Sequence, residues 1–311
     1  MKLPRHAVFA ITPTCNYRCK GCEVWKFGPY FPPLKRVKEI LLYLKKANVK
    51  FLLITGGEPT LYPDLIEVLQ FAKKLGFFVG ISTNGSRPDV IKEIAKIKLS
   101  LISISLDSCI EEEMDYWRGV KGAWENSIKS IKICKKLRQP VSASILPTPL
   151  NSPFLIKTFD FCKNVLKIPI GICTPEASKT ETWKFKKYYD DKFLLSVYTK
   201  ILKVYDRYPF LTFKEIIEEV INRLNGKVKL RCWGGTCTFY VDWYGNVFPC
   251  FNKPKICSYK ELPRFNGVGK PCFDCLLECF LAPSIIYDKL KRGSFISSLK
   301  EFLAYYQKIK V

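Results

Sequence analysis

The sequence predicts an α/β fold: a partial (β/α)6 barrel of the TIM type, followed by a small cysteine-rich C-terminal domain that contains a β-hairpin. Two observations support this prediction. Short apolar, β-branched stretches alternate six times with longer amphipathic stretches, a pattern typical of parallel βαβ units whose helices cover the sheet. Beyond residue 226 the composition shifts towards Gly, Pro, Cys and aromatic residues, which indicates a different kind of domain.

The predicted strands are the short apolar stretches, and the predicted helices are the longer stretches in which apolar residues recur at helical spacing. Strands are expected at Ala7–Ile11, Phe51–Thr55, Phe77–Ser82, Leu101–Leu106, Val141–Leu146 and Ile168–Cys173. Helices are expected at Leu34–Lys46, Leu61–Leu75, Asp89–Ile97, Trp124–Leu137, Phe154–Leu166 and Asp190–Tyr205. Because sites in such folds lie at the carboxyl ends of the parallel strands, we expect the functional residues there.

The domain boundaries are predicted from the shift in composition. We expect a barrel domain over residues 1–226, a cysteine-rich domain over residues 227–285 and a C-terminal helix within residues 286–311. The last helix of the barrel domain is expected at Phe213–Leu224, the hairpin strands at Thr238–Trp243 and Asn246–Phe248, and the C-terminal helix at Ser294–Lys308.

Composition excludes several classes of protein. Apolar residues make up 48% and charged residues 25% of the 311-residue chain, which excludes a disordered protein. His6 is the only histidine, which argues against a catalytic triad, a His-rich zinc site or a His acid–base pair. Chemistry must therefore rely on cysteine, carboxylate, lysine, tyrosine or a cofactor, and the sequence assigns no catalytic side chain.

The sequence shows no targeting signal. The opening residues contain only a five-residue apolar run, Ala7–Ile11, which Pro13 follows, and a secretory signal needs a longer one. No apolar run approaches the roughly 18–20 residues that span a bilayer. We therefore expect a cytoplasmic protein without a transmembrane segment, in which clustered cysteines hold metal more often than they form disulfides.

The fourteen cysteines fall mainly into two groups. The front group, Cys15, Cys19 and Cys22, lies directly after the first predicted strand. Three thiolates so close together can hold three corners of an iron–sulfur cube and leave the fourth iron open, as a catalytic metal centre requires. A zinc site completed by another residue is the alternative.

The front loop, from Thr12 to Cys22, reads TPTCNYRCKGC and resembles the cluster loop of the radical S-adenosylmethionine (radical SAM) enzymes. After the second strand, Gly56-Gly57-Glu58 is similar to the GGE motif of that family. The resemblance implies that this motif holds the methionyl amine of S-adenosylmethionine (SAM), and two glycines allow the backbone to approach a ligand closely.

Polar residues at the ends of the third and fourth strands extend the resemblance. The corresponding positions here are Ser82, Asn84, Ser105, Asp107 and Arg118. In the family, such residues contact the methionyl carboxylate and the ribose, and an arginine suits a carboxylate because its guanidinium forms a bidentate pair. The resemblance covers the layout of about residues 7–210.

One position departs from the family pattern. Gly21 stands before the third cysteine, where the family usually has an aromatic residue that packs near the adenine of SAM. Tyr17 and Trp25 are the nearby candidates for the adenine wall.

The rear cysteines are similar to those of the SPASM/twitch extension of radical SAM enzymes, which carries auxiliary 4Fe-4S clusters. They are Cys232, Cys237, Cys250, Cys257, Cys272, Cys275 and Cys279. A cluster is expected on Cys232, Cys237, Cys250 and Cys279. The remaining three then hold a second, incompletely ligated cluster or stay free. The alternative is a structural zinc ribbon, for which a Cys-x2-Cys pair is ordinary.

The formal charge of +23 has two interpretations. Lysine-rich helix faces are usually solvated, and lysine-rich compositions also occur in heat-adapted proteins. Alternatively, the charge attracts an anionic partner such as a phosphorylated metabolite, a nucleic acid or a membrane surface. The basic and aromatic segment Lys179–Lys192, beside the predicted barrel mouth, is a candidate for such contacts.

The resemblance implies an enzyme that reductively cleaves SAM, bound to a 4Fe-4S cluster, to a 5′-deoxyadenosyl radical. The expected substrate is a peptide or protein, and at least one auxiliary 4Fe-4S cluster and a low-potential electron donor are expected. A small metabolite or lipid is the second hypothesis and RNA the third. A different class, a zinc-ribbon protein that binds nucleic acid, stays open.

Overall fold

The computed structural model describes residues 3–174 and 189–291, and these residues form one nine-stranded sheet covered by helices. The strand order is β6-β5-β4-β3-β2-β1-β7-β8-β9. The predicted helix at Ser294–Lys308 and most of the segment Lys179–Lys192 lie outside the described residues.

Six parallel strands form the main part of the sheet, as predicted. They are β1 (Arg5–Ala10), β2 (Val49–Thr55), β3 (Phe78–Thr83), β4 (Leu101–Ser105), β5 (Val141–Ile145) and β6 (Ile170–Ile172). Consecutive strands are neighbours throughout, and all five pairings between them are parallel. The α/β class and the part-barrel are therefore confirmed.

The cysteine-rich region adds three strands to the same sheet. They are β7 (Thr238–Val241), β8 (Asn246–Phe248) and β9 (Cys257–Ser258). The predicted hairpin of β7 and β8 is confirmed, and its turn is held by Asp242, whose Oδ1 accepts from the backbone N–H groups of Tyr244 and Asn246. Strand β7 also pairs in parallel with β1, from His6 opposite Thr238 to Phe9 opposite Val241. It thereby covers an edge of β1 that would otherwise present unpaired backbone groups.

The helices pack their apolar faces on this sheet. They are α1 (Leu34–Lys46), α2 (Leu65–Lys74), α3 (Pro88–Ile97), α4 (Glu111–Arg118), α5 (Ala123–Lys136), α6 (Leu155–Asp160), α7 (Asp191–Val204), α8 (Lys214–Leu224) and α9 (Glu278–Lys291). In α1, for example, the buried residues Val37, Ile40, Leu41 and Leu44 recur at the spacing of one helix face.

Two of these helices differ from the expectation. Helix α4 was not expected, and it begins with three glutamates, which favour a helix N-terminus because they complement the helix dipole. Helix α9 starts at Glu278, inside the region expected to be cysteine-rich loop, and contains Pro283. Both helices contribute side chains to the site described below.

Candidate active site

The front cysteine loop is fastened to the end of β2 by backbone contacts. Gly57 N–H donates to Thr12 O at 2.7 Å, and Glu58 N–H donates to Thr14 O at 2.8 Å. A Cβ atom at Gly57 would lie 2.3 Å from Pro13 O and 2.4 Å from Thr14 O. Only glycine allows this approach, which gives the predicted GGE motif a structural reason.

The three front thiols lie together on this loop, partly buried. Burial raises the pKa of Cys15 to about 12 and that of Cys22 to about 11, and it also raises the pKa of Cys19. The neighbouring thiols contribute to the shift of Cys15. Such thiols are neutral in the free protein, and a bound metal deprotonates a coordinating thiol outright.

The front loop fits a 4Fe-4S cluster by its donor set, three adjacent thiols on one loop. In the described part of the chain, no three His, Cys, Asp or Glu side chains converge as the ligands of a single metal ion would. The cysteines of a cubane each bind a different iron, so they need not converge on one point.

Glu58 is fully buried and connects the ends of β2 and β3. Its Oε1 accepts from the Thr60 N–H at 3.0 Å, from Thr60 Oγ1 at 2.6 Å and from Thr83 Oγ1 at 2.6 Å. Its Oε2 accepts from the Asn84 N–H at 2.7 Å. Burial raises the pKa of Glu58, and these four donors oppose that shift. Direct contact of Glu58 with SAM stays a prediction.

Asn84 joins the end of β3 to the front loop. Its Nδ2 donates to Asn16 Oδ1 at 3.0 Å, and Asn16 lies between the first two cysteines of the loop. Ser82, on the same strand, faces the interior of the barrel together with Gly56. The polar residues expected at the second and third strand ends thus surround one side of the front loop.

Asp107 and Arg118 form a buried ion pair on the other side of the front loop. Arg118 Nη2 lies 2.6 Å from Asp107 Oδ2, and the two side chains are 15% and 2% exposed. Asp107 Oδ1 also accepts from the Leu146 N–H at 2.9 Å. Burial alone would lower the pKa of Arg118, but the neighbouring Asp107 and Cys19 raise it more strongly.

Arg118 also reaches the front thiols, because its Nη1 lies 4.0 Å from Cys19 Sγ. The end of α4 holds the loop in place: Lys20 N–H donates to Trp117 O at 2.9 Å. A Cβ at Gly119 would lie 2.4 Å from Arg18 O, so glycine is required here too. The ion pair therefore lies between the end of β4 and the front loop. Ser105, the last residue of β4, is partly buried.

Of the two candidates for the adenine wall, Tyr17 lies within the front loop and Trp25 lies three residues after its end. Tyr17 is buried, and Trp25 donates its indole N–H to Cys22 O at 3.0 Å. The Arg18 guanidinium stacks 4.5 Å from the Trp25 ring centre.

A cavity of about 720 Å³ occupies the interior of the part-barrel. Small side chains make it possible, because the strands turn Gly80, Ser82, Ser103, Ser144 and Gly171 inward. One end of the cavity reaches Gly56 beside the front loop, and helix α9 lines another side. Cavities of this size hold small molecules or single side chains with their flanking backbone.

Glu278, on α9, lines this cavity and was not expected from the sequence. Burial raises the pKa of its carboxyl group to about 7. Cys173 and Cys279 line the cavity nearby, and Cys173 Sγ lies 3.0 Å from Ser144 Oγ. No sequence motif points to Glu278, because only the fold of α9 across the barrel brings it to the interior.

Four rear cysteines, Cys232, Cys250, Cys272 and Cys275, form one group. The backbones of Cys232 and Cys272 pair with each other through hydrogen bonds of 2.9 and 2.7 Å. A hydrogen bond with Cys275 lowers the pKa of Cys250. Burial raises the pKa of Cys232 to about 11, and the nearby Cys275 and Cys272 add to that shift.

Of the other three rear cysteines, Cys237 and Cys279 border this group, because Cys237 interacts with Cys232 and Cys279 with Cys275, whereas Cys257 lies apart. Cys237 Sγ is 3.9 Å from Ser284 Oγ, Cys257 lies on β9 beside Glu261 and Lys255, and Cys279 faces the barrel cavity. The contacts therefore favour a four-cysteine set that differs from the sequence-based one at two positions, with Cys272 and Cys275 in place of Cys237 and Cys279.

The front loop, the strand-end motifs and the parallel part-barrel define a radical SAM protein. Residues 9–162 match the Radical SAM superfamily, and the chain belongs to it. It is a radical SAM enzyme, whose family membership implies a 4Fe-4S cluster at the front cysteines.

Curated and solved relatives agree on this class. The chain is 22% identical to an AdoMet-dependent heme synthase of Methanosarcina barkeri, across 84% of this chain and 80% of that protein. Streptococcus suis SuiB bound to its precursor peptide SuiA superposes with a TM-score of 0.69 at 19% identity, over 86% of this chain and 66% of that one. Native anSMEcpe with bound AdoMet superposes with a TM-score of 0.61 at 17% identity, over 83% and 78%.

No helix within residues 3–174 and 189–291 has both the length and the apolar composition needed to cross a bilayer.

Proposed function

We propose that this enzyme reductively cleaves SAM at the front cysteines and modifies a peptide or protein by hydrogen abstraction. The observation that carries the proposal is the cavity of about 720 Å³, which reaches the front loop at one end and is lined by α9, next to the rear cysteines, on another side. When bound, the front cluster and SAM supply a 5′-deoxyadenosyl radical.

The residues around the front loop hold SAM in this proposal. Arg118 offers a guanidinium to the methionyl carboxylate, and Asp107 fixes the orientation of that guanidinium through their ion pair. Gly56 and Gly57 bring backbone carbonyls close to the methionyl amine. Glu58 holds the ends of β2 and β3 together through its hydrogen bonds to Thr60, Thr83 and Asn84. It therefore positions the site whether or not it contacts SAM.

The cavity excludes water and competing hydrogen donors from the substrate. Its walls are mostly apolar side chains and small strand residues, with Glu278 and Asp242 as the acidic groups among them. Protecting a radical from side reactions is the contribution that such an enclosed site makes to catalysis.

The rear group Cys232, Cys250, Cys272 and Cys275 binds an auxiliary 4Fe-4S cluster in this proposal. Its support is the mutual contact of the four thiols and the similarity to SPASM enzymes of known structure. An iron–sulfur cluster rather than zinc is proposed because a radical generator needs a redox partner, and zinc has no redox chemistry.

A peptide substrate is favoured by the structural similarity to SuiB bound to a precursor peptide. The second candidate is a small molecule such as a porphyrin, which the similarity to a heme synthase favours. The cavity volume is compatible with both.

The first test is SAM cleavage. Anaerobically reconstituted protein should form 5′-deoxyadenosine when dithionite is added, and the triple variant Cys15→Ala, Cys19→Ala, Cys22→Ala should form none. Cys109→Ala, outside both groups, is the matched control and should keep the activity. If the triple variant still forms 5′-deoxyadenosine, the front site is assigned wrongly.

The second test separates the two substrate classes. Deuterated short peptides and a deuterated porphyrin are each offered to the enzyme. Deuterium in 5′-deoxyadenosine from the peptide supports the proposal, whereas deuterium from the porphyrin alone contradicts it.

A further inference from the structure

The four rear thiols lie just below the protein surface. Cys272 is partly exposed, and the next residue, Phe273, is 45% exposed. The paired backbones of Cys232 and Cys272 place Arg231, also exposed, opposite Phe273. A partner that docks on this surface therefore comes close to the thiols.

The surface around the rear thiols is strongly basic. Residues 227–275 contain eight Lys and Arg against three Asp and Glu, and one of those three, Asp242, is buried in the hairpin turn. We use the name rear rim for ten exposed or partly exposed residues of this range. It consists of Lys227, Val228, Lys229, Arg231, Lys253, Lys255, Val268, Lys270, Phe273 and Asp274.

Specific contacts join the parts of the rim around Leu230, Lys253 and Phe273. Lys253 forms an ion pair with Asp274, and its ammonium lies close enough to Cys272 and Cys250 for their charges to raise its pKa further. Arg223 donates to Phe273 O at 2.5 Å and to Leu230 O at 3.4 Å, which joins the two segments of the rim.

Apolar side chains are interspersed among these cations. Val228 is 49%, Val268 40% and Phe273 45% exposed. Electron-transfer proteins associate through small interfaces in which charge steers the encounter, and a basic rim around a few apolar side chains has this character.

The front site has mixed charge, because Arg18 in the front loop and Lys26 just after it are exposed cations. Helix α4, whose C-terminal end holds the front loop, begins with Glu111, Glu112 and Glu113. Cations and carboxylates are thus mixed at the front, whereas six cations stand against one carboxylate in the rear rim, which therefore attracts an acidic partner more strongly.

We propose that the rear rim docks a small acidic electron-transfer protein with a low-potential flavin or iron–sulfur centre, which exchanges single electrons with the rear cluster. This inference rests on the proposed auxiliary cluster. The carrier would lose one electron, and the rear cluster would gain it and pass it to the front cluster, where reductive cleavage of SAM would consume it. Cations also attract a nucleic acid or an anionic membrane. Neither of these exchanges electrons with a centre that lies directly beneath the surface.

The test compares two reductants in the absence of substrate, by the rate of 5′-deoxyadenosine formation. Reduced plant-type ferredoxin needs to dock, whereas dithionite does not. The rim variant Lys229→Glu, Lys255→Glu, Lys270→Glu is compared with Lys92→Glu, Lys132→Glu, Lys200→Glu, which changes the net charge equally at exposed positions on α3, α5 and α7.

We expect the ferredoxin-to-dithionite rate ratio to fall about tenfold in the rim variant at low salt, and to change little in the control. An equal fall in both variants would overturn the proposal, because the effect would then reflect net charge alone. Tighter binding of polyuridylate or phosphatidylglycerol vesicles than of ferredoxin to the same rim at 0.15 M salt would also overturn it.

The failure of the proposed function is recognised separately. If the unaltered enzyme forms no 5′-deoxyadenosine even with dithionite, SAM cleavage itself is refuted. Binding of oxidised ferredoxin, measured by calorimetry for both variants, then still decides whether the rim is the docking surface.

Discussion

Asp107 and Arg118 are the residues whose interaction the structure defines most sharply. Because Asp107 is 2% exposed, removal of Arg118 leaves a buried carboxylate without its cation. We expect Arg118→Ala to lower the free energy of unfolding by about 3–5 kcal/mol and to weaken SAM binding. Urea unfolding and SAM titration of the reconstituted protein measure the two effects.

The double variant Arg118→Ala, Asp107→Asn is the control for this prediction. It should recover much of the lost stability, because the buried carboxylate is gone, but not the affinity for SAM. Recovery of both would show that Arg118 acts only through the fold.

His6 allows a pH prediction because it is the only histidine. Burial lowers its pKa from 6.5 to about 4, so the unfolded chain takes up a proton at higher pH than the folded one. Stability contributed by neutral His6 is thus complete above pH 6.5 and is lost as the pH falls towards 4, by up to about 3 kcal/mol.

The variant His6→Gln isolates this effect. Its free energy of unfolding should fall less than that of the unaltered protein between pH 6.5 and 4.5. The single imidazole signal in an NMR titration gives the folded pKa directly, and a value near 6.5 would contradict the prediction.

At the scale of elements, the contact between the front loop and the end of β2 decides whether the cluster can form. Gly57→Ala places a methyl group within 2.4 Å of two backbone oxygens, so the loop must move. We expect the variant to lose the front cluster, seen as about four fewer irons per chain. Gly80→Ala, whose methyl group would meet its nearest neighbour at 3.6 Å, should keep its iron.

The elements themselves were predictable wherever the signal is local. The six barrel strands and the β7–β8 hairpin follow from periodicity and turn residues, and the structure agrees within a few residues. Helix α2 starts at Leu65 instead of Leu61, because Pro59–Leu61 forms a separate 3-10 turn and Asp64 occupies the N-cap position.

Contacts between distant parts of the chain could not be predicted in this way. The parallel pairing of β1 with β7 joins residues more than 200 positions apart and has no periodic signature. The contacts among Cys232, Cys250, Cys272 and Cys275 depend on the backbone pairing of Cys232 with Cys272, which spacing does not reveal, and spacing favoured a set with Cys237 and Cys279. Glu278 reaches the cavity only because α9 lies across the barrel, and no local pattern distinguishes it from a surface glutamate.

At the scale of the whole molecule, one cavity extends from Gly56, beside the front loop, to Cys250 of the rear group. Strand β1 leads directly into the front loop, and its neighbour β7 belongs to the hairpin whose end carries Cys250. In the proposed function, a substrate within the barrel would therefore lie between the front and rear cysteine groups. This arrangement predicts that the two clusters assemble independently, since no cysteine is shared.

The iron content of front-loop and rear-group variants tests that independence. Starting from the triple variant of Cys15, Cys19 and Cys22, about four irons per chain should remain if one rear cluster forms. Adding Cys272→Ser and Cys275→Ser should remove them, whereas adding Cys257→Ser should not, because Cys257 lies apart on β9.

Replacement of Cys237 and Cys279 decides between the two four-cysteine sets. The changes Cys237→Ser and Cys279→Ser are added to the front-loop triple variant. If the cluster is bound by the four cysteines that the contacts favour, this variant keeps the remaining irons. Loss of those irons would restore the set expected from spacing, and one zinc with no iron would refute an auxiliary iron–sulfur cluster altogether. Neither change touches the front loop. The front site is therefore judged separately, by the iron content and the 5′-deoxyadenosine formation of protein whose front loop is unaltered.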